Sequence, residues 1–367
     1  MQTLTDRQLN RATLARQMLL ERSDRAIPDA VQFLGGLQAQ QSNDPYIALW
    51  SRLRNFRQED LTGLIVGRTL ARATTMRGTL HLHTIDDLYG IRVLAADFLK
   101  GVWRTNFLRR FGSEKPAVVI RAGVKHLDAH GPMTAGALGK ALHEKFPTAE
   151  PLALSALLQL NETLIQVPPT RLWGNGGAPL LTRARNWLPP PPDNLLTRRE
   201  LVRRYLRAFG PASISDMRTW CRLTRLGDEF EALRPELATF RSESGRTLYD
   251  LPDAPRPDPE TPAPVRFLPL YDNAYLGYED RGRMLPPADR ARSSMFLSFR
   301  PAVLVDGVIA AGWSVQSAKG RVLLRVEPYR KLARAERREL EREGLGLARF
   351  VDPHATGHSV EIAAPAA

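Results

Sequence analysis

The first fifty residues show short stretches of helical hydrophobic periodicity separated by polar or glycine-containing breaks. Thr5 and Gln8 have the spacing of a helix capping box, and apolar residues follow at helical intervals from Leu9 to Leu19. A second short helix is predicted over residues 29–34 and ends at the Gly35-Gly36 pair. This pattern predicts that the chain begins with two helices.

A third helix is predicted to begin at Asp44, because Pro45 then occupies the first turn, where its missing N–H is not needed. Three glutamines lie between the glycine pair and this helix: Gln38, Gln40 and Gln41. Further on, the alternation in RATTMRGTLHLHT, residues 72–84, predicts a hairpin that turns at Met76-Arg77-Gly78. Three helices followed by a hairpin is the order of elements in a winged helix.

The same order of elements is predicted twice more. Residues 126–142 and 205–221 share the motif Leu-x-Ala-x-Gly-Pro. In each copy a helix is predicted to end at the glycine, and Thr134 or Ser213 can cap the next helix. Two further hairpins are predicted after these copies, over residues 164–185 and 239–251.

The character of the chain changes after the proline-rich stretch 252–264, where short strands and one charged helix over 331–344 are predicted. The predicted strands lie within residues 265–278, 294–299, 302–315 and 320–327. The fold class expected is therefore α+β, with three tandem winged-helix units followed by a small C-terminal β-sheet or β-barrel. The expected boundaries are 1–112, 113–192, 193–256 and 257–367.

Composition fits a globular protein with more than one core, since 43% of the 367 residues are apolar. The polar N-terminus and the lack of a long uninterrupted apolar segment predict a cytoplasmic protein with no membrane partner. The single cysteine, Cys221, excludes an internal disulfide framework. We expect a monomer, because repeated units can form a continuous binding surface without a second copy.

A formal net charge of +13, dominated by arginine, indicates a polyanionic partner. The planar guanidinium can bind phosphate through two parallel hydrogen bonds, which makes nucleic acid the first partner to consider. The alternative is a basic surface without a specific ligand, in a chain whose arginine content reflects a GC-rich genome.

The sequence contains no phosphate-binding glycine loop, nucleophile elbow or cysteine- and histidine-rich metal motif. His81 and His83 alternate along a predicted strand, so they share one face of it. A metal ion would need further ligands that the sequence does not indicate. We therefore predict no metal site, and a structural or DNA-facing role for both histidines.

The glutamines are the remaining candidates for chemistry. If their segment is extended, Gln38 and Gln40 project to the same side, and their amides could hold one water molecule. An amide cannot remove a proton as a carboxylate does, so such a site suits only a leaving group that is already activated. N7-alkylguanine meets this condition, because the base is cationic and departs neutral. The simpler alternative is that the glutamines cap the next helix or contact base edges.

Three segments together resemble the tandem winged-helix DNA glycosylase family: GLQAQQSNDPYIALWSRL (36–53), RGTLHLHT (77–84) and LPLYDNAYLGYEDR (268–281). The resemblance spans essentially the whole chain. It implies three winged-helix units and a small C-terminal β-barrel that form a basic concave surface around double-stranded DNA. It also implies no cofactor and the excision of cationic N-alkylpurines. Such excision includes N7-alkylguanine bridges between strands, in base excision repair or antibiotic self-resistance. The family's paired catalytic motif falls on Gln38 and Gln40. Some members carry aspartate at the second position, so Gln40 implies activity restricted to well-activated lesions.

Five residues are predicted to contact DNA: Arg77, His83, Arg171, Lys319 and Arg321. Lys319 and Arg321 flank a predicted turn, for which a groove-reaching hairpin and a plain surface turn are equally compatible. Asp272 and Asp280 are predicted to order their loop through hydrogen bonds. No lysine lies near the glutamines in the sequence, so no lyase step is expected. A noncatalytic winged-helix DNA-binding protein or regulator remains the alternative function.

Overall fold

In the computed structural model, which describes residues 1–285 and 300–365, a group of helices followed by a two-stranded hairpin occurs three times. The first group contains β1 (Thr3–Leu4), α1 (Asp6–Arg16), α2 (Ile27–Phe33), β2 (Leu37–Gln38), α3 (Asp44–Trp50), α4 (Gln58–Val66), β3 (Leu70–Thr74) and β4 (Leu80–Thr84). A long helix, α5 (Ile85–Phe107), leads from the hairpin β3–β4 to the second group.

The second and third groups repeat the order of helices and hairpin. The second group contains α6 (Pro116–His130), β5 (Met133–Thr134), α7 (Ala135–His143), α8 (Pro151–Asn161), β6 (Leu164–Val167), β7 (Leu180–Arg183) and α9 (Ala184–Trp187). The third group contains α10 (Arg198–Phe209), α11 (Ile214–Cys221), α12 (Leu226–Leu233), β8 (Ala238–Ser242) and β9 (Thr247–Asp250). All three predicted hairpins are confirmed.

The helix termini follow the predicted capping residues. The Thr5 hydroxyl accepts from the backbone N–H of Gln8, and the Gln8 side chain accepts from the backbone N–H of Thr5. Ser213 caps α11 through the same reciprocal pair of hydrogen bonds, with Asp216, and the Thr134 hydroxyl caps α7 by accepting from the N–H of Ala137. The preceding helices, α6 and α10, end at the glycines of the two Leu-x-Ala-x-Gly-Pro motifs. These boundaries are set by residues close in sequence, which is why the sequence predicts them.

The first two hairpins combine into one six-stranded sheet, in the order β2-β4-β3-β6-β7-β5. β3 and β6 pair antiparallel, with Ala73 opposite Ile165, so the two hairpins lie edge to edge. β2 pairs with β4 at the outer edge, with Gln38 opposite His81. The first of the candidate glutamines is therefore held at the edge of a sheet that two groups share.

The start of the chain packs against the third group. β1 pairs in parallel with β8. In α1, Arg16 donates hydrogen bonds of 2.6 and 2.8 Å to Asp250 at the end of β9, and another of 3.0 Å to the carbonyl oxygen of Leu206 in α10. The Arg16 and Asp250 side chains are both completely buried. Opposite charge and full hydrogen bonding offset the cost of removing this pair from water.

The C-terminal segment forms an open five-stranded sheet, and the predicted β-barrel is wrong for the described residues. The elements are β10 (Arg266–Leu268), α13 (Asn273–Leu276), β11 (Ala302–Val305), β12 (Val308–Ala318), β13 (Arg321–Pro328), α14 (Arg334–Val351) and β14 (Gly357–Ile362). The strands lie in sequence order, and no described pairing joins β10 to β14.

Helix α14 explains the open sheet. It connects β13 to β14, which are parallel, and a parallel connection requires such a crossover. Its residues Leu340 and Leu347 pack with Phe267 and Leu324 of the sheet. The helix therefore buries the apolar face of the sheet, which in a closed barrel would face the barrel interior.

Two further strand predictions have different outcomes. The segment predicted as a strand over 265–278 contains the short β10 followed by α13, because Asp272 caps a helix there. The strand predicted over 294–299 lies outside the described residues. No helix in the described ranges combines the length and apolar character needed to cross a membrane.

Candidate active site at the glutamine turn

The glycine pair sets the path by which the chain leaves α2. Gly35 and Gly36 have φ angles of 71° and 93°, a region that favours glycine. A Cβ atom on Gly35 would lie 2.7 Å from the Trp220 ring, and one on Gly36 would lie 2.3 Å from the His83 ring. The backbone can therefore pass this close to the two rings only because residues 35 and 36 have no side chains. We refer to the following residues 38–43 as the glutamine turn.

Gln38 is buried, and its side chain is held by Arg77. The Gln38 Oε1 atom accepts a 2.7 Å hydrogen bond from Arg77 Nη2. Arg77 also donates to the backbone carbonyl of Trp220 and lies 3.0 Å from Nε2 of His81. The Arg77 guanidinium is thus engaged inside the protein. The sequence predicts a DNA contact for Arg77, whereas in this structure the side chain turns toward Gln38 and α11.

His81 and His83 are both fully buried. The Thr75 hydroxyl lies 3.1 Å from a ring nitrogen of each histidine, and His81 Nδ1 lies 3.0 Å from the carbonyl oxygen of Thr79. Burial holds the pKa of His81 well below its usual value and lowers the pKa of His83 to about 3, so both rings are neutral. The sequence predicts a DNA contact for His83, whereas in this structure its ring is enclosed by protein.

Gln40 differs from Gln38 in its exposure to solvent and in its hydrogen bonding. β2 ends at Gln38, and Gln40 lies in a bend with its side chain exposed. Within the described residues, the Gln40 amide has no hydrogen-bond partner. The strand therefore ends two residues before Gln40, too early to place both amides on one strand face. Of the two candidate glutamines, Gln38 is thus held by a hydrogen bond and Gln40 is exposed.

Two buried ionisable side chains, Asp44 and Arg72, hold the backbone of the turn. Asp44 accepts a 3.1 Å hydrogen bond from the N–H of Gln41, and Arg72 donates a 2.8 Å hydrogen bond to the carbonyl oxygen of Ser42. Burial raises the pKa of Asp44 to about 7 and lowers the pKa of Arg72 to about 10. The sequence predicts Asp44 only as the start of α3. It does not show that the Asp44 carboxyl is buried or that it holds the glutamine turn.

The loop between β6 and β7 also contacts the turn. The Ser42 hydroxyl donates to the carbonyl oxygen of Asn175 at 3.3 Å, and the N–H of Gly174 donates to Asn43 Oδ1 at 3.2 Å. Arg171, in the same loop, is half-buried, and its Nε atom has no partner among the described residues. The hairpins β3–β4 and β6–β7, which lie in one sheet, therefore both contribute contacts that hold the glutamine turn.

Lys319 and Arg321 are exposed at the tip of the hairpin β12–β13. Lys319 and Gly320 form its turn, with φ angles of 50° and 72°. Thr356 donates to the Gly320 carbonyl oxygen through its N–H at 2.7 Å and through its hydroxyl at 2.9 Å, which braces the tip. Both side chains that the sequence predicts as DNA contacts are thus presented outward on a supported turn.

The predicted ordering role of Asp272 and Asp280 is confirmed. Asp272 accepts from the N–H of Ala274 at 2.8 Å and pairs with the buried Arg52 at 2.7 Å. Asp280 accepts from the N–H of Gly282 at 2.9 Å. Their carboxylates are used to fix the loop that follows β10.

Comparisons with known proteins identify the family. A family model described as "DNA glycosylase AlkZ-like" matches residues 31–350, which include the whole glutamine turn and all three hairpins. Among solved structures, the Streptomyces sahachiroi DNA glycosylase AlkZ is similar in fold, with a TM-score of 0.75 and 20% sequence identity. That match covers 98% of this chain and 100% of the other. Comparison with curated proteins gives no match. The predicted resemblance is confirmed, and the chain belongs to the AlkZ-like family of DNA glycosylases.

Proposed function

We propose that this DNA glycosylase hydrolyses the N-glycosidic bond of cationic N7-alkylguanine in duplex DNA, without a lyase step. The observation that carries the proposal is the pair of neutral amides in the glutamine turn. Gln38 is held by a guanidinium, and Gln40 is exposed without a described protein partner. Neither amide can act as a general acid or base. The reaction must therefore release a base that needs no protonation.

N7 alkylation supplies such a base. The guanine is cationic before cleavage, takes the bonding electrons as it leaves, and departs neutral. The water oxygen then bonds to C1′ of the sugar, and the proton that the water loses is released to solvent. The protein then needs only to position water and to stabilise the oxocarbenium-like sugar with oriented dipoles. Arg77 occupies one lone pair of Gln38, whereas both lone pairs of the Gln40 oxygen are available. We assign to Gln40 the acceptance of a hydrogen bond from the attacking water, and to Gln38 the orientation of that water.

We propose that the substrates include interstrand crosslinks, in base excision repair or antibiotic self-resistance. A base tied to the opposite strand cannot rotate freely into a deep pocket. Gln40 is exposed. A cavity of about 1020 Å³ is lined elsewhere, by residues of α1, the segment after it and the third group. An exposed catalytic turn suits a lesion that is attacked close to its place in the duplex.

The three helix-and-hairpin groups are proposed to be winged helices that place the glutamine turn against duplex DNA in a cytoplasmic monomer. The proposed units span residues 1–112, 113–192 and 193–256, followed by a C-terminal domain over 257–367. Lys319 and Arg321 on their exposed hairpin, and the half-buried Arg171, are the proposed DNA contacts.

Excision from a duplex with one N7-alkylguanine tests the substrate. After incubation with the protein, mild alkali should cleave the strand at the adduct, because excision leaves an abasic site. A duplex with unmodified guanine is the control and should stay intact, since neutral guanine is not activated. Cleavage before alkali would contradict the absence of a lyase step. An intact alkylated strand after alkali would reject the substrate.

The dependence of DNA binding on salt tests the basic surface. With a net charge of +13, we expect affinity for undamaged duplex to fall on the order of 100-fold or more between 50 and 200 mM salt, because bound cations are released from phosphates. A flat response would contradict binding through arginine–phosphate contacts. Tight, salt-sensitive binding without excision would instead support the noncatalytic DNA-binding protein.

A further inference from the structure

We propose that Arg77 is a positioning residue: it fixes the Gln38 amide for catalysis by linking the glutamine turn to helix α11 of the third group. The proposal deepens the proposed function, since it rests on Gln38 being one of the two reacting amides. It concerns a residue whose side chain lies 2.7 Å from Gln38 and does not face outward.

The direction of every hydrogen bond around Arg77 is determined. A guanidinium only donates, so the atoms facing it in Gln38, His81 and Trp220 must all be acceptors. His81 can accept at Nε2 only when it is neutral and carries its proton on Nδ1. Its Nδ1 lies 3.0 Å from the carbonyl oxygen of Thr79, which is an acceptor only. The Gln38 amide therefore cannot flip without pointing its NH2 group at Arg77.

The third group anchors the guanidinium through α11. Trp220 is the penultimate residue of this helix, and its carbonyl lies in the last turn, where carbonyl groups lack helical partners. The C-terminal end of a helix also carries partial negative charge, which favours a cation. Arg77 reaches it from the turn of the hairpin β3–β4, where its own φ angle is 58°. The Gln38 amide is thus fixed only when the first and third groups are packed together.

The partners of the half-buried Arg77 distinguish it from the buried Arg16 and Arg52. Arg16 and Arg52 each face a buried aspartate, at 2.6 and 2.7 Å. Within residues 1–285 and 300–365, Arg77 forms no ion pair, and its partners are all neutral. Even partial removal of a cation from water without a carboxylate partner is costly, so a purely structural position would favour a charged partner. With Gln38 as the partner of Arg77, the site contains an amide that can form a hydrogen bond with water and gains no negative charge.

The experiment compares Arg77→Met, Arg77→Lys and a control, Arg321→Met. The side-chain NH2 signal of Gln38 is followed in 15N-labelled protein and assigned by its loss in Gln38→Ala. We expect Arg77→Met to shift and broaden this signal and to reduce single-turnover excision roughly 10- to 100-fold, with DNA affinity within about twofold. Arg77→Lys should be intermediate, because one ammonium cannot reach all three acceptors. Arg321→Met should weaken DNA binding and leave the Gln38 signal unchanged.

An unchanged Gln38 signal in Arg77→Met would overturn the proposal. Reduced DNA affinity with a smaller salt slope, as in the Arg321→Met control, would also overturn it and identify Arg77 as a DNA contact. If Arg77→Met does not fold, the same two readouts on Arg77→Lys decide. The amide signal does not depend on excision, so a failure of the proposed substrate is recognised separately, by loss of excision in the unaltered protein.

Discussion

Replacing both glutamines, Gln38→Ala with Gln40→Ala, is expected to reduce excision of N7-alkylguanine at least about 1000-fold while DNA affinity stays nearly unchanged. Removal of a single oriented polar group from a site of developing charge typically costs about 100- to 1000-fold in rate. DNA affinity should persist because phosphate contacts dominate it, and neither amide carries charge. Single-turnover excision and equilibrium binding of the same alkylated duplex measure the two effects.

The single variants and a neighbouring control separate chemistry from folding. Gln40→Ala should leave thermal stability unchanged, because its side chain is exposed. Gln38→Ala should lower stability as well as rate, because Arg77 loses an acceptor. Gln41→Ala is the matched control: it is exposed and contributes to the turn through its backbone N–H, so excision should continue. Excision that survives the double variant would reject the catalytic assignment, and a parallel loss of binding would indicate a docking role.

The features that the sequence predicts correctly depend on residues close together in the chain. The capping box of Thr5 and Gln8, the caps at Thr134 and Ser213 and the three hairpins are all encoded within a few positions. The glycine pair before the glutamine turn also has a local signal. Its reason is not local, since the ring that excludes a side chain at Gly35 belongs to Trp220 in the third group.

The features that the sequence does not predict depend on what covers each surface. Strand periodicity places His81 and His83 on one face of β4, but cannot show that this face is buried. The hydrogen bond from Arg77 to Gln38 also depends on the docking of α11. The short strands alone are compatible with a sheet or a barrel, and the resemblance implies a barrel; in the described residues the parallel pairing of β14 with β13 leaves the sheet open. Tertiary contacts decided all three outcomes.

Asp44→Asn is expected to stabilise the protein at neutral and alkaline pH. Asp44 is 5% exposed, and burial raises its pKa from 3.8 to about 7. Because the pKa is higher in the folded state, the folded state binds more protons between these values, and stability falls as pH rises through this interval. Above pH 7, where the Asp44 carboxyl is ionised in the folded protein, the free energy of unfolding is lower by roughly 4 kcal/mol than it is with the carboxyl neutral. Asparagine does not ionise, and its side-chain oxygen can still accept from the N–H of Gln41.

Urea unfolding at pH 5 and pH 8 measures this effect. The gain from Asp44→Asn should be roughly 4 kcal/mol at pH 8 and roughly 2 kcal/mol at pH 5, since the folded protein still carries the neutral acid at the lower pH. Asp86→Asn is the control, because Asp86 also lies in the first turn of a helix but is exposed. An equal gain at both pH values would contradict the assigned protonation of Asp44. Excision should survive in Asp44→Asn, because the brace on the glutamine turn is kept. Its loss in a stable, folded variant would mean that the carboxylate itself takes part in the reaction.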